Sequence, residues 1–150
     1  LVDWLKAGAN SKEQWRGTMV LMFQKEVALR ICAQPGDDHY GRLAVLAQAA
    51  THPRLVLTVK PGAFRPPPKV DSAVVVLDPL PAAEAFSHLD ALESVTAAAF
   101  GQRRKMLRAA MKSLNGGVEA LDRAGIDATR RAETLSQAEF RKLASAWRAR

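Results

Sequence analysis

The pattern of apolar and polar residues divides the chain into two parts. Before about residue 79, short apolar runs alternate with amphipathic stretches, as expected for strands separated by helices. The runs predict strands at Thr18–Phe23, Arg54–Val59 and Asp71–Leu77. The first run is apolar nearly throughout, which predicts a strand buried on both faces. Strands alternating with helices favour an α/β layer over an all-β fold.

The stretches between these runs predict helices. The opening LVDWLKAG has the pattern of the last turns of an amphipathic helix, with Gly8 as its stop. A second helix is predicted at Lys25–Ala33, and a third in HYGRLAVLAQAAT, with Asp37 or Asp38 as its N-cap. Three tryptophans are expected to anchor helices in the core: Trp4, Trp15 and Trp147.

After Pro79–Glu84, which is a plausible domain boundary, every periodic stretch is helical. Helices are predicted at Phe86–Phe100, Gln102–Leu114 and Val118–Ala124. A final helix opens with Ser136 and Glu139 in the S-x-x-E spacing of a capping box. The predicted fold class is therefore α/β plus all-α, with one domain over residues 1–84 and a helical domain over residues 85–150.

Charge suggests a polyanionic partner. The 150 residues carry a net charge of +7, with twelve Lys and Arg against seven Asp and Glu from Phe86 onward. Such a balance favours nucleic acid as the partner, although it is also compatible with a merely soluble surface. The single cysteine, Cys32, cannot form an internal disulfide, which fits a reducing cytoplasm. No apolar run approaches the length of a membrane span.

The positive charge is concentrated between Gln102 and Val118, where no acidic residue occurs. In the predicted helix, Leu107, Met111 and Leu114 share one face. Four of the five cations lie on another face: Arg104, Lys105, Arg108 and Lys112. The fifth, Arg103, does not share that face, but it can reach outward from the helix start. A solvated face usually mixes both signs. The segment therefore favours contact with RNA phosphates, which gives affinity and placement but no base reading.

A second unusual stretch is GAFRPPPKVDSAVVVL, residues 62–77. Proline fixes its own φ and pushes the preceding residue toward extended conformations. Pro66, Pro67 and Pro68 therefore predict a stiff, extended segment that holds Phe64 in place between two strands. From spacing alone, an ordinary core position for Phe64 beside a rigid corner is the simpler interpretation.

The stretch KPGAFRPPPKVDSAVV closely resembles the G-A-F-x-P-x-P-K-V-x-S signature of the rRNA adenine dimethyltransferases. Three further stretches resemble the family in the same order: MFQKEVALRICAQPGDDHYGRLAVLAQ, FGQRRKMLRAAMKSL and RAETLSQAEFRKLASAW. The resemblance extends over essentially the whole chain. It is greatest to the KsgA-type group, which acts on small-subunit rRNA, and Asp71 in KVDS favours that group over the resistance methylases of large-subunit rRNA.

The resemblance implies a Rossmann-like class I methyltransferase fold followed by a small helical domain. It implies S-adenosylmethionine as methyl donor and two adjacent adenines near the 3′ end of small-subunit rRNA as the target. Each adenine would leave its stack to enter a pocket. Phe64 matches the family's base-stacking aromatic, and Pro66, Pro67 and Pro68 would hold it in position before the substrate arrives. The partner would be the small ribosomal subunit, during its assembly in the cytoplasm.

The donor-binding half of the family pattern has no counterpart in this sequence. None of the nine glycines forms a G-x-G turn, and the N-L-P-Y or N-P-P-Y loop is missing. The chain is therefore expected to be the C-terminal portion of the enzyme, with no catalytic or cofactor-binding residues of its own. It is expected to be a monomer that is inactive and does not bind the donor in isolation.

Two alternatives remain open: a methylase of large-subunit rRNA, and a non-catalytic RNA-binding or assembly module of the same fold. The discriminating observation is whether a glycine loop and an N-L-P-Y loop precede Leu1. Other chemistry is not indicated. His39, His52 and His88 have no partners at ligand spacing for a metal site, and Asp71 and Ser72 have no histidine partner for nucleophilic catalysis.

Overall fold

The computed structural model describes residues 1–9 and 17–150, so Trp15 lies outside the described residues. Three strands and seven α-helices are described in these ranges. In chain order they are α1 (Val2–Ala9), β1 (Met19–Gln24), α2 (Lys25–Cys32), α3 (Arg42–Ala50), β2 (Thr51–Val59), β3 (Ser72–Pro79), α4 (Leu89–Gly101), α5 (Leu107–Ala110), α6 (Gly117–Ala124) and α7 (Gln137–Arg148). The predicted change from α/β to helical structure after residue 79 is confirmed.

The sheet has the order β1-β3-β2, with β3 antiparallel to both neighbours. The first two strands are therefore parallel to each other, with the last strand between them. Val75 in the centre of β3 pairs with Leu21 on one side and Leu55 on the other. A bulge between Leu55 and Leu57 shifts the β2 register by one residue.

One face of the sheet packs on the helices and the other is open. Ala73, Val75 and Leu77 are fully buried in the core that α2 and α3 share. On the other face, Val20 is 63% exposed and Met22 is 53% exposed. The prediction that this first strand is buried on both faces is therefore wrong for the described structure, because no described layer covers the second face.

The start of α3 also differs from the prediction. Its N-cap is Gly41, with no side-chain capping bond. The Asp37 carboxylate instead accepts a 2.8 Å hydrogen bond from the backbone N–H of Gln34, within the turn that Pro35 and Gly36 initiate. Asp37 and Asp38 lie too far before the first helical turn of α3 to reach its free N–H groups.

Residues from both predicted domains form one apolar core. Tyr40, just before α3, is fully buried, and its hydroxyl donates a 2.8 Å bond to the Leu135 carbonyl. Its ring meets Phe100 edge-on, and Phe100 in turn packs against Phe140. Burial raises the pKa of the Tyr40 hydroxyl well above its usual range. The division at residue 84 is therefore a change of secondary structure, and its status as a domain boundary stays a prediction.

The half-buried side chain of Arg141 joins the two parts at the carboxyl end of α3. Its guanidinium donates to the carbonyls of Gln48 at 3.2 Å and of Glu84 at 2.8 Å. A cation at a helix C-terminus is stabilised by the helix dipole. No carboxylate in the described part of the chain pairs with Arg141, and burial lowers its pKa.

Helix α7 confirms its predicted start, since Ser136 and Glu139 form a complete capping box. Its inner face also matches, with Phe140, Leu143 and Ala144 buried. Trp147 and Trp4 are partly buried against the core, as expected for anchoring residues.

The single helix predicted at Gln102–Leu114 is wrong. Residues 102–105 form a turn, α5 has only four residues, and a 3-10 turn follows at Met111–Ser113. The N–H groups of Leu107 and Arg108 donate to the carbonyls of Arg130 and Ala128, at 2.7 and 2.9 Å. These tertiary partners take the amides that a longer helix would use internally, so the helix begins only at Leu107. Among the described residues, no helix is both long and apolar enough to cross a bilayer.

Candidate nucleic-acid interface

The connection between β2 and β3, residues 60–71, lies at a functionally favoured edge of the sheet. Parallel β1 and β2 both end there, at Gln24 and Val59, and both of these residues pair with Ser72 at the start of β3. Ligands of open α/β sheets bind at the carboxyl ends of parallel strands. The proline stretch is therefore at the edge where such a sheet would receive a substrate.

The base of this connection, which we call the Phe64 loop, is held at several points. Lys60 Nζ lies 3.1 Å from Asp71 Oδ2, next to the last pair of the strand ladder. The Asp71 carbonyl accepts a 2.9 Å bond from the backbone N–H of Lys25, which ties the end of the loop to the start of α2. Within the loop, a 3-10 turn at Pro61–Ala63 is followed by a 3.2 Å bond from the Phe64 N–H to the Pro61 carbonyl.

Phe64 is partly exposed and has an extended backbone, with φ −116° and ψ 154°. The apolar core of the described residues does not include it. The simpler interpretation from spacing, an ordinary core position, is therefore not what the packing favours. Pro66, Pro67 and Pro68 are exposed. The chain bends over residues 64–66, so the expectation of an extended segment is wrong at its first proline. The Arg65–Pro66 peptide bond is cis.

A pocket of 380 Å³ lies between the end of the Phe64 loop and the start of α2. Its lining residues are Gln24, Lys25, Glu26, Leu29, Val70 and Asp71. Polar groups of both charges thus stand beside apolar surface at the carboxyl edge of β1. A larger cavity of 700 Å³ opens between α2, α3 and Phe100. Its arginines are already engaged: Arg30 pairs with Glu26, Arg42 with Glu93, and Arg103 as described below.

The basic segment, Arg103–Lys112, keeps its predicted separation of faces although it is not one helix. Leu107 and Met111 are fully buried. Four cations are exposed, and no acidic partner for them occurs in the described ranges: Arg104, Lys105, Arg108 and Lys112. The turn and the short helix thus direct one surface inward and leave a positive surface open to a polyanion.

Arg103 differs from its neighbours. Its guanidinium donates a 2.8 Å bond to the Asp38 carbonyl and lies 3.7 Å from a Glu133 carboxylate oxygen. The side chain therefore ties the basic segment to the loop before α3 and to the 3-10 turn at Ala132–Thr134. Among the cations of the basic segment, Arg103 is the one whose side chain makes tertiary contacts.

Arg131 was missed by the sequence analysis, which took the basic surface to end before Val118. It is exposed and, within the described part of the chain, has no acidic partner. The bond from Leu107 N–H to the Arg130 carbonyl brings this residue's segment beside the basic segment. The consecutive Arg130 and Arg131 were the available signal. Arg130 itself is paired with Glu139, which holds the Glu139 pKa below its usual range.

The described residues provide neither a metal-binding cluster nor a reactive cysteine. No cluster of three or more His, Cys, Asp or Glu side chains is placed to hold a metal ion there. Cys32 is partly buried, and burial raises the pKa of its thiol. A raised pKa leaves less of the nucleophilic thiolate at neutral pH, which is the opposite of what a reactive cysteine needs.

Comparisons with known proteins identify relatives of the whole chain. Proteins described as ribosomal RNA small subunit methyltransferase A share 51% identity in Maricaulis maris, over 99% of this chain and 52% of the relative. The counterpart in Phenylobacterium zucineum shares 57% identity, over 100% of this chain and 50% of the relative. The chain thus spans about half the length of the curated relatives it matches.

Solved structures agree on the fold. A dimethyladenosine transferase from Plasmodium falciparum matches 94% of this chain and 60% of its own, with 26% identity and a TM-score of 0.76. The 23S rRNA methyltransferase ErmE matches 98% of this chain and 59% of its own, with 24% identity and a TM-score of 0.57, a likeness of fold alone. The architecture is that of a methyltransferase with α/β content.

The family model for ribosomal RNA adenine dimethylase matches residues 1–148. The match includes both the Phe64 loop and the basic segment. The resemblance stated from the sequence is thereby confirmed, and the chain belongs to the ribosomal RNA adenine dimethylase family.

Proposed function

We propose that this chain is the C-terminal portion of an rRNA adenine N6-dimethyltransferase. The complete protein would transfer methyl groups to two adjacent adenines near the 3′ end of small-subunit rRNA, as a monomer in the cytoplasm, during ribosome biogenesis. The observation that carries the proposal is the position of Phe64. It is a partly exposed aromatic ring on a proline-supported loop at the carboxyl edge of the sheet.

In this proposal Phe64 offers one face to an adenine that has left its stack. Stacking holds the base so that its N6 amine, a weak nucleophile, points in a fixed direction, and positioning of this kind lowers the barrier. The anchored ends of the loop and its three prolines reduce the ordering that binding would otherwise require. Residues 1–84 would supply the C-terminal strands and helices of a Rossmann-like class I domain, and residues 85–150 a helical RNA-binding domain.

S-adenosylmethionine would supply the methyl group when bound. The described residues do not fit a donor site, since no glycine-rich turn joins a strand to a helix N-terminus among them. We therefore assign donor binding and the amine-binding loop to the part of the relatives' length that this chain does not span. On this assignment, calorimetric titration of the isolated chain with S-adenosylmethionine is expected to give no heat of binding, and micromolar binding would contradict the assignment.

The exposed cations of the basic segment, together with Arg131, would contact rRNA phosphates on the small subunit. Such contacts give placement without sequence reading, so selection of the adenines would rest on RNA shape and on the pocket. Arg103 is proposed to contribute less to RNA binding than these cations, because its guanidinium already contacts Asp38 and Glu133.

The proposal is tested with the full-length protein, radiolabelled S-adenosylmethionine, and small and large ribosomal subunits that lack the modification. We expect label in small-subunit rRNA, as dimethyladenosine at two adjacent positions. Label found only in large-subunit rRNA would support the alternative that the protein is a methylase of large-subunit rRNA. RNA binding without any label transfer would support a non-catalytic module. Either of these outcomes would overturn the proposal.

A further inference from the structure

The Phe64 loop carries positive charge that its surroundings do not neutralise. No acidic residue occurs from Arg54 to Val70. Of the loop's three cations, Lys60 is paired with Asp71 at 3.1 Å. Arg65 and Lys69 are exposed, and neither has an acidic partner among residues 1–9 and 17–150. Two free cations thus stand on the same short loop as the exposed aromatic ring.

The prolines decide which groups of the loop can bind an anion. Pro66, Pro67 and Pro68 lie between the two cations and have no backbone N–H to donate. A phosphate at this surface would therefore be bound by side chains, and the side chains available are those of Arg65 and Lys69. Because proline restricts the backbone, the two cations leave the loop from positions that vary less than they would in an ordinary loop.

We infer that Arg65 and Lys69 bind the phosphates next to the adenine that stacks on Phe64, an inference that rests on the proposed function. Proteins that hold single-stranded nucleic acid combine aromatic stacking platforms with cations that follow the backbone. The Phe64 loop has both elements within six residues. The Phe64 loop binds the target strand itself, whereas the basic segment contacts rRNA elsewhere on the protein surface.

The experiment compares two double variants of the full-length protein that change net charge equally. Arg65→Gln with Lys69→Gln removes the loop cations. Arg54→Gln with Lys142→Gln is the matched control, because Arg54 is paired with Asp78 and Lys142 lies on the exposed side of α7. Binding of a fluorescein-labelled single-stranded RNA with two adjacent adenines is followed by anisotropy over a salt series.

Removing two phosphate contacts from a single strand should flatten the plot of log K against log salt by about 1.4. At 0.1 M salt, the loss of these two contacts should make the loop variant bind RNA roughly twenty-five-fold more weakly than the parent. The control should lose less than half of that slope. In methylation assays the loop variant should show a raised KM for RNA with kcat within about twofold of the parent, since its cations position the strand without touching the reacting amine.

Equal slopes for the loop variant and the control overturn the inference, because the effect would then be one of net charge. If the parent methylates small subunits and the slopes are equal, the inference fails while the proposed function stands. If the parent transfers no label but only the loop variant loses slope, the proposed function fails while the phosphate contacts stand. Circular dichroism of both variants checks that the fold is retained.

Discussion

The Phe64 loop and the basic segment were both predicted to contact RNA, yet the molecule builds them in different ways. The loop contains no long regular element, but its ends are fixed by the Val59–Ser72 strand pair and by the bridge from Lys60 to Asp71. The basic segment was expected to be one helix, and it is instead a turn, a four-residue helix and a 3-10 turn docked on residues 128–130. The loop is shaped largely by its own residues, and the segment by its neighbours.

This difference has a functional meaning. Stacking needs a ring in one place and orientation, so a loop that presents an aromatic benefits from local stiffness. Phosphate contact acts through charge over several ångströms and tolerates an irregular backbone. The two regions should therefore respond differently to substitution. Loss of the ring should reduce catalysis, and loss of the charges should reduce affinity in a salt-dependent way.

The largest expected effect is that of Phe64→Ala in the full-length protein. Stacking of a base on an aromatic side chain contributes about 1–3 kcal/mol, so methylation should fall by roughly fivefold to 150-fold. Donor affinity should stay near the parental value, since Phe64 is proposed to contact the base and not the donor. Single-turnover methylation of small subunits measures the first quantity, and calorimetric titration with S-adenosylmethionine measures the second.

Phe64→Tyr is the control for that substitution, because it keeps an aromatic face on the same loop. It should recover most of the lost rate. If the alanine variant methylates as fast as the parent, Phe64 is a structural residue and stacking on the Phe64 loop does not contribute to catalysis.

The next effect concerns the exposed cations of the basic segment. Arg104→Ala combined with Arg108→Ala should weaken binding to rRNA and to unrelated structured RNA by similar factors. Two lost phosphate contacts should flatten the slope of log K against log salt by about 1.4–1.8. Salt series on the parent and the variant measure the slope. An unchanged slope with the fold intact would make these arginines part of a solvated surface.

Neighbouring arginines sharpen the contrast further. Arg103→Ala should lower the free energy of unfolding by about 1 kcal/mol, because it removes a charged hydrogen bond to the Asp38 carbonyl at a half-exposed site. The thermal midpoint should fall by a few degrees. Arg104→Ala should leave the midpoint unchanged. Differential scanning calorimetry measures the midpoints of the two single variants, and equal midpoints would contradict the structural role assigned to Arg103.

The smallest effect is a dependence of stability on acid. Hydrogen bonding to Arg130 lowers the pKa of Glu139, and bonds from Thr129 lower that of Asp127, close to the carbonyls on which the basic segment docks. A carboxylate whose pKa is lower in the folded state stabilises fully above its unfolded value and loses this contribution as the pH falls. Stability should therefore decline below pH 4.5, the ordinary glutamate value, and then below 3.8, that of aspartate.

Glu139→Gln tests this assignment. Between pH 7 and pH 3.5 the thermal midpoint of this variant should fall less than that of the parent, because one of the titrating contributions has been removed. The capping box loses its charge in the same variant, so the midpoint at pH 7 should already be lower. An identical decline in the two proteins would show that Glu139 does not contribute to acid sensitivity.

Sequence reasoning succeeded where the determining residues are close in the chain. The capping box at Ser136 and Glu139, the stop of α6 at Gly125 and the valine-rich run of β3 all follow from a few neighbouring residues. The family and the place of the proline stretch between two strands also followed from local motifs, although the bend at the start of that stretch did not.

Sequence reasoning failed where residues that are distant in the chain determine the local structure. The helix predicted at Gln102–Leu114 had good periodicity, but the carbonyls of Ala128 and Arg130 compete for its first amides. The same hydrogen bonds bring Arg131 beside the basic segment, which no pattern within residues 102–118 could reveal. Burial of β1 on one face instead of two depends on which layers pack on the sheet, and an apolar run by itself does not specify that.

The central position of β3 has a consequence for the order in which the protein can form during synthesis. β1 and β2 share no ladder and meet only through β3, which emerges last of the three. At roughly 5–20 residues per second, several seconds pass between the completion of Gln24 and that of Pro79. Among the described strands, β1 and β2 have no other partner until then, and the Phe64 loop has only one fixed end. The surface proposed to hold adenine is thus among the later features of the described sheet to be assembled.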